Sequence, residues 1–356
     1  MSVLIIAEAG VNHNGEKEKA IALIDAAASA GADAVKFQTY NAERLAAKSA
    51  PKATYQKQTT DSTESQFEML KTLELPESWH FELKQHAEKQ GITFISTAFD
   101  QQSLLFLEKL DLPFYKIPSG EITNAPLLYA FARTGKDVIL STGMATLGEV
   151  EQALAILSWG YLYDKEPESL SAIWQNWSGG DSEKVIREKV SLLHCTSQYP
   201  TPMAEVNLKA MDTLRNAFGL PVGYSDHTEG LLIPVSAVSR GATIIEKHFT
   251  LDRALPGPDH RASLEPDELK KMVNQIRAVE LALGDGRKKP QSSEWDTRAA
   301  ARQQIIALEN IMIGDLFTAD NIGTARAGSG TSPQYFWDLI GSVSSRNYTS
   351  GEPVEK

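Results

Sequence analysis

Short apolar segments alternate with amphipathic segments along the first four-fifths of the chain. Eight apolar runs, most of them bounded by glycine, proline or charged residues, predict β-strands. The segments between them carry apolar residues at helical spacing, and the helix predicted over 16–31 ends at a glycine, as many helices do. The predicted strands cover residues 4–10, 34–40, 93–99, 114–120, 137–143, 190–196, 221–227 and 242–249.

A closed (β/α)8 barrel, the TIM barrel, is the fold that this pattern favours, because strand and helix alternate to a count of eight. An open dinucleotide-binding sheet usually carries a glycine-rich fingerprint after its first strand, and the turn here, AGVNHNGE, lacks it. Two connections are long. Residues 41–78 are predicted to lie over the active face as a lid, and 160–188 are predicted to be an insertion that Trp174 and Trp177 pack down.

The pattern changes after Gly284. Residues 286–298 are polar and typical of a linker, and residues 299–356 combine short apolar runs with many glycines and little helical periodicity. We therefore predict a barrel domain over 1–285, followed by the linker and a small β-rich module over 299–356. A module of this size is marginally stable alone, so we expect it to dock on another surface.

The composition limits which binding partners and which cellular compartment are expected for this protein. The chain of 356 residues carries a formal net charge of −11, which argues against nucleic acid or an anionic membrane as its partner. Its one cysteine, Cys195, leaves no internal disulfide and fits a reducing, cytoplasmic compartment. No apolar stretch approaches the length of a membrane span, and the N-terminus lacks the basic region of a signal peptide.

Two histidines end the last two predicted strands. Consecutive strands are neighbours in a barrel, so the imidazoles of His227 and His248 could meet at its mouth. Imidazole is a common ligand of divalent metals, and such a pair leaves positions open for water and substrate. Either histidine could instead be a hydrogen-bonded structural residue. His13, just after the first strand, is a weaker candidate ligand or a loop cap.

Two lysines lie within predicted strands, where a buried ammonium is costly unless an anion pairs with it. Lys36 and Lys116 therefore predict a site for a substrate phosphate or carboxylate. Two alternatives stay open. One is an internal ion pair with a carboxylate such as Glu8 or Glu121, and the other is a Schiff-base aldolase, in which a lysine amine attacks a carbonyl. The hydroxyl groups expected nearby are those of Thr97, Ser119 and Ser141.

Strand alternation separates the side chains of the last predicted strand. Glu246 and His248 share one face, whereas Lys247 has the opposite parity and is expected to point away from the lumen. Glu8, at the end of the first strand, could act as a general base or hold Lys36 in place.

Nine blocks follow one another along the chain: IIAEAGVNHNG, AVKFQTY, FISTAFD, YKIPSGEITN, ILSTGMAT, LLHCTSQYPTP, GYSDHTEG, IEKHFTLD and GPDHRASLEPDEL. Through these blocks the chain resembles the bacterial sialic acid synthase family over nearly its whole length. The tail resembles the antifreeze-like (SAF) domain that closes such enzymes.

The resemblance implies a TIM barrel with an SAF domain that reaches over the partner's barrel in a domain-swapped homodimer. It implies condensation of phosphoenolpyruvate with an open-chain N-acetylated amino sugar, release of phosphate, and a divalent metal, manganese or magnesium. N-acetylmannosamine, which gives N-acetylneuraminate, is the first acceptor implied. The alternative, 2,4-diacetamido-2,4,6-trideoxymannose, gives legionaminate. More distant alternatives are a Schiff-base aldolase, a metal-dependent hydrolase and a non-catalytic carbohydrate-binding protein.

The resemblance also implies roles for individual residues. His227 and His248 match the metal ligands, and Glu8 matches the catalytic carboxylate. Residues 326–330 read Arg-Ala-Gly-Ser-Gly where the family usually reads Arg-Pro-Gly-Asn-Gly, so this loop lacks a stiffening proline. The residues implied to bind phosphoenolpyruvate are Lys36, Thr97, Lys116, Ser119, Ser141, Ser197 and Ser225. Those implied to contact the sugar are Gln38, Glu121, Tyr199, Glu246, Asp259 and Arg326.

Overall fold

The computed structural model describes residues 2–53, 56, 60 and 64–356. The chain divides into two compact units, Met1–Gly284 and Asp285–Lys356. No helix in the described part of the chain is long and apolar enough to cross a membrane.

Eight parallel strands form the sheet of the first unit, which confirms the predicted fold. They are β1 (Leu4–Gly10), β2 (Ala34–Thr39), β3 (Thr93–Ala98), β4 (Phe114–Ile117), β5 (Asp137–Ser141), β6 (Val190–His194), β7 (Val222–Asp226) and β8 (Ile244–His248). Their order is β3-β2-β1-β8-β7-β6-β5-β4, and β3 and β4 lie in contact at its two ends. The sheet is therefore a nearly closed TIM barrel.

The helices of this unit follow the strands in alternation and begin and end at recognisable sequence signals. The first helix ends at Gly31, whose φ of 83° is in the left-handed region that favours glycine. The seventh begins with a capping box between Thr146 and Glu149. The helices are α1 (Lys17–Ala30), α2 (Ala42–Leu45), α3 (Gln66–Thr72), α4 (Glu77–Gln90), α5 (Gln101–Glu108), α6 (Ala125–Arg133), α7 (Leu147–Leu162), α8 (Leu170–Trp177), α9 (Gly180–Lys189), α10 (Ala210–Phe218), α11 (Leu232–Ser239) and α12 (Pro266–Leu283).

Most predicted strands run past the observed strands at their carboxyl ends. The run predicted over 114–120, for example, stops pairing at Ile117, and Ser119–Glu121 forms a 3-10 turn. The last residues of these runs thus belong to the loops at the rim of the barrel. This is the end at which TIM barrels carry their active sites.

The lumen of the barrel changes from apolar to polar within two residues along each strand. Ile6 lies in an apolar layer inside the barrel, and two residues further on the same face Glu8 is buried and charged. The apolar layer comprises Ile6, Ala34, Ile95, Ile139, Leu193 and Ile244. The residues two positions later in the chain are Glu8, Lys36, Thr97, Ser141, Cys195, which directly follows β6, and Glu246. The apolar layer therefore lies nearer the amino ends of the strands, and the polar layer lies nearer their carboxyl ends.

The connection predicted as a lid contains α2 and α3. α3 begins with a capping box in which Ser65 accepts from the backbone N–H of Glu68 and the Glu68 carboxylate accepts from that of Ser65. Residues 54–55, 57–59 and 61–63 of this connection lie outside the described residues. The lid role of 41–78 stays a prediction.

The insertion predicted over 160–188 holds the end of α7, all of α8 and most of α9. Trp174 and Trp177 both pack against the main core of the barrel unit. The indole N–H of Trp177 also donates to Oε1 of Glu151 at 3.1 Å. Packing of the insertion by these two side chains is therefore confirmed.

The second unit is built around a small antiparallel sheet. Strands β9 (Gln304–Ala307) and β10 (Ile322–Ala325) pair in register, with Ile305 opposite Thr324. The polar segment predicted as a linker belongs to this unit, and helix α13 (Trp295–Ala301) begins within it; a short helix, α14 (Phe336–Leu339), follows β10. The core consists of Ile305, Ala307, Ile311, Phe317, Ile322, Leu339, Tyr348 and Val354.

Candidate active site

A cavity of about 470 Å³ opens at the carboxyl ends of the barrel strands. It brings together fifteen of the sixteen residues that the sequence singles out for the site; the remaining one, Arg326, is exposed just after β10 in the second unit. Their roles stay predictions. Those that line the cavity are Glu8, Lys36, Gln38, Thr97, Lys116, Ser119, Glu121, Ser141, Ser197, Tyr199, Ser225, His227, Glu246, His248 and Asp259.

Four ionisable side chains form the bottom of this cavity, here named the charged floor: Glu8, Lys36, Lys116 and Glu246. Nζ of Lys36 lies 2.7 Å from Oε2 of Glu8 and 3.6 Å from Oε2 of Glu246. Nζ of Lys116 lies 3.3 Å from Oε1 of Glu246. Each of the four is at most 4% exposed. The lysines therefore make internal ion pairs, as one of the open alternatives expects, and they also face the cavity.

Burial and mutual attraction set the protonation of the floor. Burial raises the pKa of Glu8 to about 7 in spite of the attraction of Lys36. Burial also opposes the charge on Glu246, but Lys116 and Lys36 hold its pKa well below its usual range. The pKa of Lys116 is lowered because burial outweighs its attraction to Glu246. Burial thus disfavours the charges of Glu8 and Lys116, whereas the charges of Lys36 and Glu246 are stabilised by their partners in the floor.

Hydroxyl groups surround the lysines. Nζ of Lys36 donates to Oγ1 of Thr97 at 3.2 Å, and Oγ of Ser225 donates to Oε1 of Glu246 at 2.9 Å. Oγ of Ser141 is buried and has no hydrogen-bond partner among the described residues. Because an unpaired buried hydroxyl is costly, it indicates a place where a ligand or water completes the site.

Two glycines let these groups approach one another. A Cβ on Gly143 would lie 2.4 Å from Oγ of Ser197 and 2.8 Å from Oγ of Ser119. Gly10, whose φ is +53°, leaves room between Glu8 and His248, and a Cβ there would lie 3.3 Å from the carboxylate and 3.4 Å from the imidazole. Neither glycine was identified from the sequence as part of the site, although each is the last residue of a predicted strand, two positions after Glu8 or Ser141.

The two imidazoles lie side by side, with ring centroids 5.6 Å apart. The Nδ1–H of His227 donates to the carbonyl oxygen of Thr196 at 2.7 Å, which leaves the lone pair on Nε2. Burial lowers the pKa of His227 to about 4 and lowers that of His248 well below its usual value, so both rings are neutral at pH 7. Nδ1 of His248 has no hydrogen-bond partner among the described residues and lies 3.9 Å from Oδ2 of Asp259.

These features fit a pair of metal ligands, because neutral imidazole binds metals and ligating histidines usually donate their other ring N–H to a carbonyl or carboxylate. Within the described part of the chain, no group of three or more His, Cys, Asp or Glu side chains is arranged to hold an ion. His227 and His248 are therefore the two candidate ligands for a divalent metal.

His13 is placed away from the cavity. It is fully buried, and its Nδ1 accepts from the backbone N–H of Gly15 at 3.0 Å. The sequence allowed two roles for His13, a metal ligand or a loop cap, and this contact is that of a loop cap.

Polar side chains stand above the floor on several sides. Nε2 of Gln38 donates to Oε1 of Glu8 at 3.3 Å, and Oε2 of Glu121 accepts from Nδ2 of Asn124 at 2.7 Å. The ring of Tyr199 lies 4.1 Å from that of His227, centroid to centroid. Burial raises the pKa of Asp259 to about 6. Glu246, which is also predicted to contact the sugar, lies beside the lysines of the floor.

One side of the cavity is hydrocarbon, and we name it the apolar wall. The sequence predicts that residues 41–78 lie over the active face, but not that α3 brings hydrocarbon to the cavity, because its amphipathic spacing looks like that of a core helix. The described members of the wall are Val11, Tyr40, Leu45, Met69, Leu70, Leu73 and Phe99, which pack together as one cluster and line the cavity.

Lys247 points away from the lumen, as its parity predicts. Its Nζ lies 2.6 Å from Oδ2 of Asp226, and both side chains are fully buried. Cys195 is also buried, as a strand cysteine is expected to be, and its Sγ lies 3.2 Å from Oγ of Ser119.

A TIM barrel with paired lysines, hydroxyls and two neutral imidazoles at its mouth defines an enzyme that handles a small anionic substrate. The model of the NeuB family matches residues 23–288. Over 353 residues the chain is 45% identical to an N,N'-diacetyllegionaminic acid synthase of Campylobacter jejuni, with 99% of each chain covered. It is 45% identical to the enzyme of the same name from Legionella pneumophila, covering 99% of this chain and 93% of that one.

Among solved structures, the N-acetylneuraminic acid synthetase of Leptospira borgpetersenii matches with a TM-score of 0.67 and 36% identity. The match covers 83% of this chain and 90% of that one. The chain therefore belongs to the NeuB family. It is an enzyme of the phosphoenolpyruvate-condensing sialic acid synthase type.

Proposed function

We propose that the enzyme condenses phosphoenolpyruvate with an N-acetylated amino sugar and releases phosphate by cleavage of the C–O bond. The observation that carries this proposal is the charged floor, whose two lysines lie buried at the bottom of one cavity. Several hydroxyl groups surround these lysines. Phosphoenolpyruvate carries both a carboxylate and a phosphate on three carbons. Charge-assisted hydrogen bonds from Lys36 and Lys116 suit such a ligand, since they are about twice as strong as neutral ones.

The acceptor is N-acetylmannosamine or 2,4-diacetamido-2,4,6-trideoxymannose. The first gives N-acetylneuraminate and is the acceptor that the sequence blocks imply first. The second gives the legionaminate skeleton, and two relatives at 45% identity are named N,N'-diacetyllegionaminic acid synthases. The side chains available to hydroxyl and acetamido groups above the floor are those of Gln38, Glu121, Tyr199 and Asp259.

His227 and His248 hold a divalent metal, manganese or magnesium. Their neutral rings and the fixed tautomer of His227 support this assignment. When bound, the metal supplies Lewis acidity that polarises the aldehyde of the acceptor.

The residues of the floor position the donor and move one proton. Lys36 and Lys116 hold phosphoenolpyruvate so that its C3 faces the aldehyde carbon, and positioning of this kind supplies much of the acceleration in two-substrate reactions. C3 attacks the aldehyde carbon, a carbon–carbon bond forms, and positive charge develops at C2. Glu8 in its ionised form takes a proton from the water that adds to C2, and this proton passes to the alkoxide formed on the former aldehyde carbon. The tetrahedral C2 then collapses to a ketone as phosphate leaves with the original bridging oxygen and takes up the proton of the C2 hydroxyl.

The second unit is an antifreeze-like module in a domain-swapped homodimer. Its resemblance to the tail of the family supports this part of the proposal, and Arg326 is exposed on the loop that follows β10. In the dimer, the guanidinium of Arg326 binds the acetamido group of the acceptor in the partner's barrel. Arg326→Ala should therefore raise the KM for the sugar far more than the KM for phosphoenolpyruvate, and equal effects on both would contradict this role.

Isotope labelling tests the reaction as proposed. Turnover in water enriched in ¹⁸O should place the label on C2 of the sugar acid and leave the released phosphate unlabelled. Label in the phosphate would contradict C–O cleavage. Borohydride in the presence of substrate should trap no adduct on a lysine, and a trapped adduct would favour the Schiff-base alternative.

A further inference from the structure

The cavity has a fixed axis that runs from charge to hydrocarbon along the second strand. Lys36, Gln38 and Tyr40 are alternate residues and share one face of β2 or its extension. Four residues of extended chain rise about 13 Å, so the backbone of Tyr40 lies well beyond that of Lys36 in the direction of the carboxyl ends of the strands. β3 and its extension show the same change from polar to apolar surroundings. Thr97 contacts Lys36, and Phe99, two residues later, belongs to the apolar wall.

The far end of this axis offers hydrocarbon and aromatic surface. Met69 and Leu73 are buried in the wall, and the rings of Tyr40 and Phe99 meet edge to face with centroids 5.9 Å apart. The hydroxyl of Tyr40 donates to the carbonyl oxygen of Leu70 at 3.3 Å, so it is already engaged within the wall. The amides of Gln56 and Gln66 also line the cavity, but a substrate hydroxyl placed against the hydrocarbon of the wall itself would lose its water and gain little in return.

The reaction fixes which end of the acceptor meets the wall. The aldehyde carbon, C1, must reach C3 of the donor, and the donor lies on the charged floor. An open-chain hexose bound this way extends along the axis, with C6 farthest from the floor. We infer that the apolar wall receives C6 of the acceptor and that the enzyme selects a sugar with a methyl group there, a 6-deoxy amino sugar. This inference rests on the proposed function and decides between its two acceptors.

A matched pair of acceptors isolates the single oxygen atom at C6. The pair is 2-acetamido-2-deoxymannose and 2-acetamido-2,6-dideoxymannose, each assayed with phosphoenolpyruvate and Mn²⁺ by phosphate release. We expect kcat/KM for the 6-deoxy sugar to be higher by about tenfold or more, because burial of a methyl group is favourable and burial of an unpaired hydroxyl is not. Equal values, or a preference for the C6 hydroxyl, would overturn the inference.

A substitution in the wall tests whether this surface is the cause. Met69→Gln keeps the length of the side chain and adds an amide that can bond to a hydroxyl, so the preference should fall at least about threefold. Met203→Gln makes the same change at an exposed position away from the cavity and should leave the preference unchanged. If Met69→Gln does not fold, Leu70→Gln, on the same helix and only partly buried, takes its place. An unchanged preference in a folded wall variant would contradict the assignment.

The synthase activity and the role of the apolar wall can be tested separately. No phosphate release with either sugar would overturn the proposed function. Phosphate release from both sugars without a preference for the 6-deoxy acceptor would leave the synthase intact and overturn only the role of the wall.

Discussion

The charged floor and the apolar wall lie at opposite ends of one cavity and are built in opposite ways. The floor comes from residues on barrel strands, where ladder register fixes each side chain; Glu8 is paired across the backbone with both Lys36 and His248. The wall comes mainly from the ends of strands and from α3 in the long connection after β2. Reactive groups thus sit on the most rigid part of the fold, and the surface assigned to selectivity sits on a connection.

Substitutions in the floor and in the wall should therefore have different effects on activity. A substitution in the floor should remove activity with every acceptor, because all share one donor. A substitution in the wall should change which acceptor is preferred, because it touches only the far end of the sugar. The same division is common in TIM barrels, where loops vary over a constant set of strands.

Loss of either imidazole of the histidine pair should have the largest effect on activity. His227→Ala or His248→Ala should lower kcat/KM by at least about a thousandfold, because the Lewis acidity of a bound metal is worth several kcal/mol. Exhaustive chelation of the unaltered enzyme should do the same, and added Mn²⁺ should restore it. His86→Ala, which removes a partly exposed histidine paired with Asp25, serves as the control. Full turnover after chelation would contradict the metal assignment.

Lys116→Met should lower kcat/KM for phosphoenolpyruvate by about a hundredfold to a thousandfold. The change removes a cation from the donor site and leaves Glu246 with one lysine fewer, and loss of one partner of a buried charge pair typically costs 2–5 kcal/mol. Steady-state kinetics with both acceptors should show the same loss. Lys270→Met, on the exposed side of α12, is the matched control. A loss confined to one acceptor would place Lys116 at the sugar instead.

Lys247→Met sharpens the contrast between the two faces of β8. This lysine is paired with Asp226 outside the lumen, so its removal leaves a buried carboxylate unpaired and should cost about 3–5 kcal/mol of unfolding free energy. The KM for phosphoenolpyruvate should not change, because the side chain faces away from the floor. Denaturant unfolding and kinetics on the same preparation check both statements. A large rise in that KM would mean that Lys247 reaches the donor.

The smallest effect is expected outside the cavity lining, at His80 on α4. Its ring contacts Oγ1 of Thr39 at 2.7 Å and the carbonyl oxygen of Pro76 at 3.0 Å, and burial lowers its pKa to about 4. Between pH 6.5 and about 4 the unfolded chain binds a proton at this ring that the folded chain does not, so stability falls as the pH falls. The contribution is at most about 3 kcal/mol.

His80→Gln should therefore flatten the dependence of the unfolding free energy on pH across this window. His86→Gln, on the same helix, provides the control. An unaltered slope in His80→Gln would show that the folded state protonates His80 as readily as the unfolded chain does.

The sequence predicts the floor well and misses the wall for physical reasons. Strand parity is a local property, so the common face of Glu246 and His248 and the opposite direction of Lys247 follow from alternation alone. The pairing of Lys116 with Glu246 joins β4 to β8 across the lumen. The local pattern of residues gives no information about which side chains meet across the barrel. The wall depends on where α3 packs, and the residues of an amphipathic helix look the same over a core as over a cavity.

Acceptor-dependent phosphate release tests the central claim most directly. The purified enzyme is incubated with phosphoenolpyruvate and Mn²⁺, with and without an N-acetylated amino sugar, and phosphate and the sugar acid are quantified together. We predict no release without the sugar and, with it, one phosphate for each nine-carbon sugar acid formed. Phosphate release that ignores the sugar, or a sugar acid formed without phosphate, would contradict the account.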